Sequence, residues 1–334
     1  MVRCTKAELL SIITRSIAEC DWNILYLSDP NIHPFRIQAY KDDESYRIRV
    51  YIWNITPGGR NRAPDEYRIQ HTGLLNQLFE PEPNGYTLIL GWWESVEVFA
   101  GFDYRKHTGV LGKSSSLQIR ELYLRNAYRN GFSTCDKGNE EVAIAFKPNF
   151  FMEYVKNLES LHSFGESEDD LNILETVAEN PESINDTEIE VTNWNRQTVI
   201  ISVRKKLRDA SFQERILTAY RYRCAMCGVQ LDLVQAAHIV PVSHEEGTDQ
   251  TSNGVALCAL HHYAYDRGLV FIDEEYSVEI NQNKVDKLRS ISRDDGLEEF
   301  SDALRALIIL PPAVSDRPHI DYLRIANSLR LAAS

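Results

Sequence analysis

The sequence lacks the means to build a secreted scaffold or a membrane protein. Six cysteines in 334 residues are too few and too unevenly placed for a disulfide framework, and Cys4, Cys20 and Cys135 stand alone. No apolar run approaches the roughly 20 residues that a bilayer-spanning helix needs. The N-terminus sets Arg3, Lys6 and Glu8 on an amphipathic pattern rather than the apolar core of a signal peptide. These absences point to a cytoplasmic chain with no membrane partner. Internal repeats and low-complexity tracts are missing too, and the length implies two domains rather than one.

Positive charge is also in short supply: 36 Lys and Arg face 49 Asp and Glu, a net charge of −13. That balance looks unfavourable for a nucleic-acid partner until it is resolved along the chain. Residues 1–156 hold 19 basic against 19 acidic side chains, residues 157–195 none against 11, and residues 196–334 17 against 19, giving 0, −11 and −2. Nearly all the excess acid thus lies in one segment, 158–195, whose composition reads as a solvated acidic linker between domains at 1–157 and 196–334.

The first domain reads as mixed α and β. Thr5 can cap a helix whose Leu9, Leu10, Ile13 and Ile17 share one face and which stops near Asp21. Strand patterns follow at Arg47 to Trp53, Glu66 to Gln70, Tyr86 to Trp92, Ser95 to Phe102 and Val142 to Phe146. A helix is expected from Ser116 to Tyr128, opened by the three serines at 114–116. Two polar loops could touch DNA: one carries Arg60, Arg62 and Arg68, the other runs from Arg105, Lys106 and His107 to Lys113. The domain holds 22 of the 33 aromatic residues, Trp53, Trp92 and Trp93 among them; most suit core packing, and a pocket for an extruded base is the functional alternative.

The strongest signal begins at residue 204. Arg204, Lys205, Lys206, Arg208, Arg215, Arg221 and Arg223 lie along a stretch whose Phe212, Ile216, Leu217 and Tyr220 fall at helical spacing, which describes a basic amphipathic helix with Arg204, Lys205, Lys206 and Arg208 as its expected DNA contacts. It leads into Cys224 and Cys227, and thirty-one residues beyond Cys227 come Cys258 and His261. Two such pairs, each spanning a two-residue knuckle, can converge tetrahedrally on one structural Zn²⁺. Spacing alone leaves open whether His261 or His262 completes the set.

Around these knuckles stand His238, Asn253 and His262, with the flanking segments IVP, SNG and DRGL. Residues 200–280 here resemble the HNH nuclease motif of the ββα-metal superfamily. The resemblance implies a β-hairpin carrying His238, a helix facing it, and a divalent ion with the scissile phosphate between them. It implies that His238 is the general base and that Asn253 braces the loop and orients that base. Phosphodiester hydrolysis independently calls for a proton acceptor near neutral pH and a cation to offset developing charge, and His262 and Asp266, four residues apart in a helix, can bind one ion from one face. Many such motifs place a further ligand just before the base, where this chain has Ala237. Coordination then rests on His262, Asp266, phosphate and water, which suits a labile Mg²⁺, or Mn²⁺ or Ni²⁺. His244 could supply the missing ligand, but its acidic neighbours favour a solvent loop.

Beyond the motif, a helix around Leu297 to Ile308 and another near Ile320 to Leu331 should buttress the module. The expected architecture is therefore α+β: a recognition or sensor domain, an acidic linker, and a zinc-containing ββα-metal domain with a helical buttress. Its layout resembles that of restriction endonucleases, including modification-dependent ones, in which an N-terminal reader selects duplex DNA and the HNH module hydrolyses it by a one-metal mechanism. Cutting both strands would call for a homodimer. The alternatives are a nuclease switched on by a protein or small ligand, and a non-catalytic zinc-containing DNA-binding protein, for which Ala237 is the sequence support.

Overall fold

The computed structural model describes residues 3–59, 62–113, 115–190 and 192–332. The chain forms two compact units, Met1–Leu207 and Arg208–Ser334.

The first unit opens with helix α1 (Lys6–Glu19), whose N-terminus is closed by a capping box: the Thr5 hydroxyl accepts from Glu8 N, and the Glu8 carboxylate accepts from Thr5 N. Strands β1 (Asn23–Tyr26), β2 (Phe35–Lys41) and β3 (Glu44–Asn54) follow, then β4 (Thr56–Pro57), β5 (Glu66–Gln70), β6 (Tyr86–Trp93), β7 (Val98–Phe102) and β8 (Ser116–Arg120). Helix α2 (Glu121–Asn130), β9 (Phe132–Asp136), β10 (Val142–Phe146) and helix α3 (Phe151–Lys156) complete the sheet region. The main sheet runs β1-β2-β3-β6-β7-β10-β9, antiparallel except for the parallel pair β3 and β6. A smaller sheet, β4-β5-β8, packs on one face of it with α2, burying Trp53, Ile69, Ile89, Ile119 and Leu124 together. Gly91 permits that approach, because a Cβ there would lie 2.5 Å from Ile55 and 2.6 Å from Ile69.

Two expectations change here. The stretch from Ser116 is a strand first and a helix only from Glu121: Leu117 and Ile119 point inward in alternation and pair with Ile69 and Tyr67 across β5, so sheet pairing overrides the serine cap signal. Arg120, not a serine, is the N-cap of α2. The acidic segment, in turn, is largely helical rather than an open linker. Helices α4 (Leu158–Ser163), α5 (Glu168–Glu179) and α6 (Asp186–Glu190) bury Leu158, Leu161, Leu171, Leu174, Val177 and Ile189, while most of the acids face water or cap helix starts. Arg196, at the start of α7 (Trp194–Ala219), pairs with Glu166 and Asp170 of this segment. The division between the units falls inside α7 rather than at residue 195.

The second unit contains the hairpin β11 (Val234–His238) and β12 (Gly254–Cys258), helix α8 (Ala259–Asp266), the hairpin β13 (Val270–Ile272) and β14 (Val278–Ile280), and helices α9 (Gln282–Ser290), α10 (Leu297–Asp302) and α11 (Ile320–Ala332). Its core gathers Phe212, Ile216 and Tyr220 of α7 and the chain just past it, Val255 and Leu257 of β12, Tyr265 of α8, and Leu323 and Ala326 of α11. The buttress thus has three helices, α10 ending six residues earlier than the sequence suggests. No helix among the described residues is long and apolar enough to cross a membrane.

Because Leu174 is fully buried on α5, Leu174→Ala should destabilise the first unit by roughly 2–5 kcal/mol in urea or thermal unfolding. A change within about 0.5 kcal/mol would restore the reading of a solvated linker.

Candidate active site and metal centre

Helix α8 follows β12 directly, so the second knuckle straddles a strand end and a helix start. Cys258 is the residue before the helix and His261 lies in its first turn. Cys224, Cys227, Cys258 and His261 bring one ligand atom each to within 4.8 Å of one another. His261 Nδ1 lies 3.3 Å from Cys258 Sγ and 3.5 Å from Cys224 Sγ, and the Cys227 and Cys258 sulfurs are 4.0 Å apart. Tetrahedral bonds of about 2.3 Å to sulfur produce edges close to these values. Burial works against ionisation at the thiols, but hydrogen bonds from His261 and nearby main chain hold Cys224 down to about 6. Cys227 is pushed up to about 12, first by burial and then by Cys224. The set therefore favours one thiolate on its own, and a dication at its centre would let the others ionise. His261, not His262, completes it.

His262, the next residue, is turned about 100° from His261 around the helix axis. It lines a cleft of about 600 Å³ with Ala236, His238, Val242, Asp266 and Arg330. His262 Nε2 lies 3.4 Å from Asp266 Oδ2. Its Nδ1 stands 3.1 Å from Gln235 Oε1, so an Nδ1–H can donate to that amide oxygen and leave Nε2 available for a cation shared with Asp266. The two side chains suit a weakly held oxygen-loving dication, and Ala237, buried in β11, adds no donor. His244 does not line the cleft; its ring accepts from Glu246 N in the loop.

Asn253 is completely buried. Its Oδ1 accepts from Val240 N at 2.9 Å, while Nδ2 donates to Val240 O at 2.9 Å and Thr248 O at 2.8 Å. Its own carbonyl accepts from Ile239 N at 2.9 Å, so one side chain ties both ends of the 239–253 loop to the strand end that carries His238.

Four groups meet at this site that the sequence reading had not placed there. Asp249 Oδ1 lies 3.0 Å from His238 Nε2, Phe212 stacks on the His238 ring at 3.8 Å and 3°, and Arg208 holds the other oxygen of Asp249 at 2.8 Å. Arg330 of α11 donates to Ile239 O at 2.7 Å and stands 3.9 Å from Asp266 Oδ1. Phe212 and Arg208 carried other readings, as core and as DNA contact, and no local spacing marks Asp249 or Arg330.

The other basic residues expected on DNA, from Arg60 to Lys206, belong to the first unit. Arg60 lies outside the described residues. Arg62 pairs with Glu66 at 2.8 Å, Arg105 with Asp103 at 3.0 Å, and Lys106 with Glu140 at 3.4 Å. Arg68 is half-buried on β5 with its Nε sequestered, Arg204 donates to Pro181 O, and Lys206 is half-buried. Lys113 and Lys205 are exposed. Trp53, Trp92 and Trp93 are buried, which places them in packing rather than at an open base pocket.

Gly254 pairs across the hairpin with His238, and a Cβ there would sit 2.2 Å from Ile216 and 2.8 Å from Phe212. Gly254→Ala should therefore cost roughly 1–3 kcal/mol of stability in thermal unfolding of the second unit. An unchanged melting temperature would contradict this packing.

Comparison with known proteins accords with this geometry. Residues 224–273 match the HNH endonuclease family model, and residues 46–155 match the family described as methylase-associated X1. A search of curated proteins found no match. Among solved structures, a modification-dependent TagI restriction endonuclease aligns at a TM-score of 0.32 and 14% identity over 83% of this chain and 80% of its own, too distant to bear on function. With the hairpin, the facing helix and the cleft between them in place, the chain is an endonuclease that carries an HNH domain at residues 224–273 behind a methylase-associated X1 domain.

Proposed function

We propose that this protein is a restriction or defence enzyme that cuts duplex DNA, its first unit choosing the substrate and its HNH domain hydrolysing the phosphodiester by a one-metal mechanism. The observation that supports this best is the meeting of His238, His262 and Asp266 on one cleft, with Arg330 beside them. His238 would take the proton of the attacking water as general base. His262 and Asp266 would hold a divalent ion, Mg²⁺ or a similar cation, which when bound offsets charge developing on the phosphate and the leaving oxygen. Asn253 would keep the strand end carrying the base from shifting as DNA enters.

The description of the first domain as methylase-associated favours a reader that responds to the modification state of DNA. Surface pairs such as Arg62 with Glu66 are worth at most about 1 kcal/mol, so a phosphate can replace the carboxylate at little cost. Exposed Lys113 and Lys205 would add salt-sensitive phosphate contacts.

The Cys₃His set is proposed to hold one structural Zn²⁺. Cys224→Ser or Cys258→Ser should abolish stoichiometric zinc in metal analysis and remove cooperative unfolding of the second unit. Acid should release the metal as well, since the thiolates must be deprotonated to bind it. Native protein free of zinc would refute the assignment.

Full-length protein with Mg²⁺ should cut methylated and unmethylated copies of one plasmid differently, yielding defined fragments from the cognate form. His238→Ala should lower the rate by roughly 10²–10⁴ while leaving DNA binding intact. Equal smearing of both plasmids would remove the reader, and near-wild-type cleavage by the variant would remove His238 as the base.

A further inference from the structure

We infer that Asp249 is the residue that sets the working state of His238, fixing its ring and its tautomer, with Arg208 and Phe212 holding the pair in place. This rests on the reading of His238 as general base. An imidazole can accept a proton from water only through the nitrogen that carries no hydrogen, and which nitrogen that is depends on the partner of the other. His238 Nε2 meets Asp249 Oδ1 at 3.0 Å. An ionised carboxylate only accepts, so Nε2 bears the hydrogen and Nδ1 keeps the lone pair. Among the described residues Nδ1 has no hydrogen-bond partner within the protein.

The surroundings separate the two edges of the ring. His238 lines the cleft with His262 and Asp266, whereas Asp249, Arg208 and Phe212 do not. Asp249 therefore engages the ring without itself lining the cleft. Its second oxygen is committed to Arg208, with Nη2 at 2.8 Å and Nε at 3.0 Å, so the carboxylate is held by a two-pronged guanidinium and cannot rotate away without breaking both bonds. Arg215 donates to the Asp249 carbonyl at 2.5 Å, pinning its main chain as well. Phe212, stacked almost parallel on the imidazole, blocks rotation out of the plane that Asp249 requires. The sequence suggested Arg208 as a DNA contact; the geometry gives it a structural task one step behind the base, which makes Asp249, Arg208 and Phe212 positioning residues rather than catalytic ones.

When the imidazole later returns its proton to solvent or product, it does so from Nδ1, while Asp249 keeps its hydrogen bond to Nε2–H between the two transfers. No atom is transferred to Asp249.

The test uses full-length, metal-loaded protein. Asp249→Asn preserves the volume but offers an amide that can donate to Nε2 and so favour the opposite tautomer. It should lower kcat by roughly tenfold or more with KM within about twofold, since DNA binding is untouched. Selective ¹⁵N-histidine labelling, with the His238 signals identified by their absence from His238→Ala, should show neutral His238 protonated on Nε2 in the native protein and not in Asp249→Asn. A variant within tenfold of native kcat, or a native ring protonated on Nδ1, overturns the inference. The native spectrum decides alone if the variant fails to fold. Loss of activity in His238→Ala beside a fully active Asp249→Asn would remove Asp249 and leave the general base standing, whereas an active His238→Ala would remove the base itself.

Discussion

Much of the second unit hangs on the rotation of about 100° between successive residues of an α-helix. On α8 that rotation turns His261 toward the three cysteines and His262 toward the cleft, so two adjacent histidines serve two different centres. Asp266, four residues beyond His262, returns to the same face and joins it across 3.4 Å. Whatever secures His261 among the thiols therefore also aims His262 and Asp266. A cluster that looks purely structural thereby sets the geometry of the cleft beside it.

A second support comes from the hairpin. His238 stands at the end of β11, where the chain leaves the ladder, and strand ends fray unless tied. Asn253 ties this one by four main-chain partners, and Arg330 reaches from α11 to the next carbonyl. Phe212 and Ile216 of α7 pack beneath Gly254 so closely that no side chain fits there. His238 thus sits on a strand end held from three directions, by a buried amide, a C-terminal helix and the helix that enters the unit.

Charge is arranged locally rather than globally. The acidic excess lies on helices whose apolar faces are buried in the first unit, and it meets Arg196 there. Many arginines that might have signalled a nucleic-acid surface are already paired with carboxylates or carbonyls. A net charge of −13 consequently says little about whether DNA can approach the cleft, where His238, His262 and Arg330 gather.

Local spacing was enough to identify the features that depend on near neighbours. The capped first helix, the strands at 66–70 and 142–146, the two cysteine knuckles and the helical pair His262 and Asp266 are each written in a few adjacent residues, whose backbone period dictates where side chains point. The choice between His261 and His262 as the fourth metal-type donor was not, because both follow the knuckle and only the direction of α8 separates them. Ser116–Arg120 became a strand because β5 offered an edge to pair with, and 158–190 folded because its leucines found a core that its charge pattern concealed. Asp249 and Arg330 reach His238 across separations of 11 and 92 residues, Arg208 reaches Asp249 across 41, and no local period encodes an encounter that exists only once helix, loop and C-terminus have packed around the same hairpin.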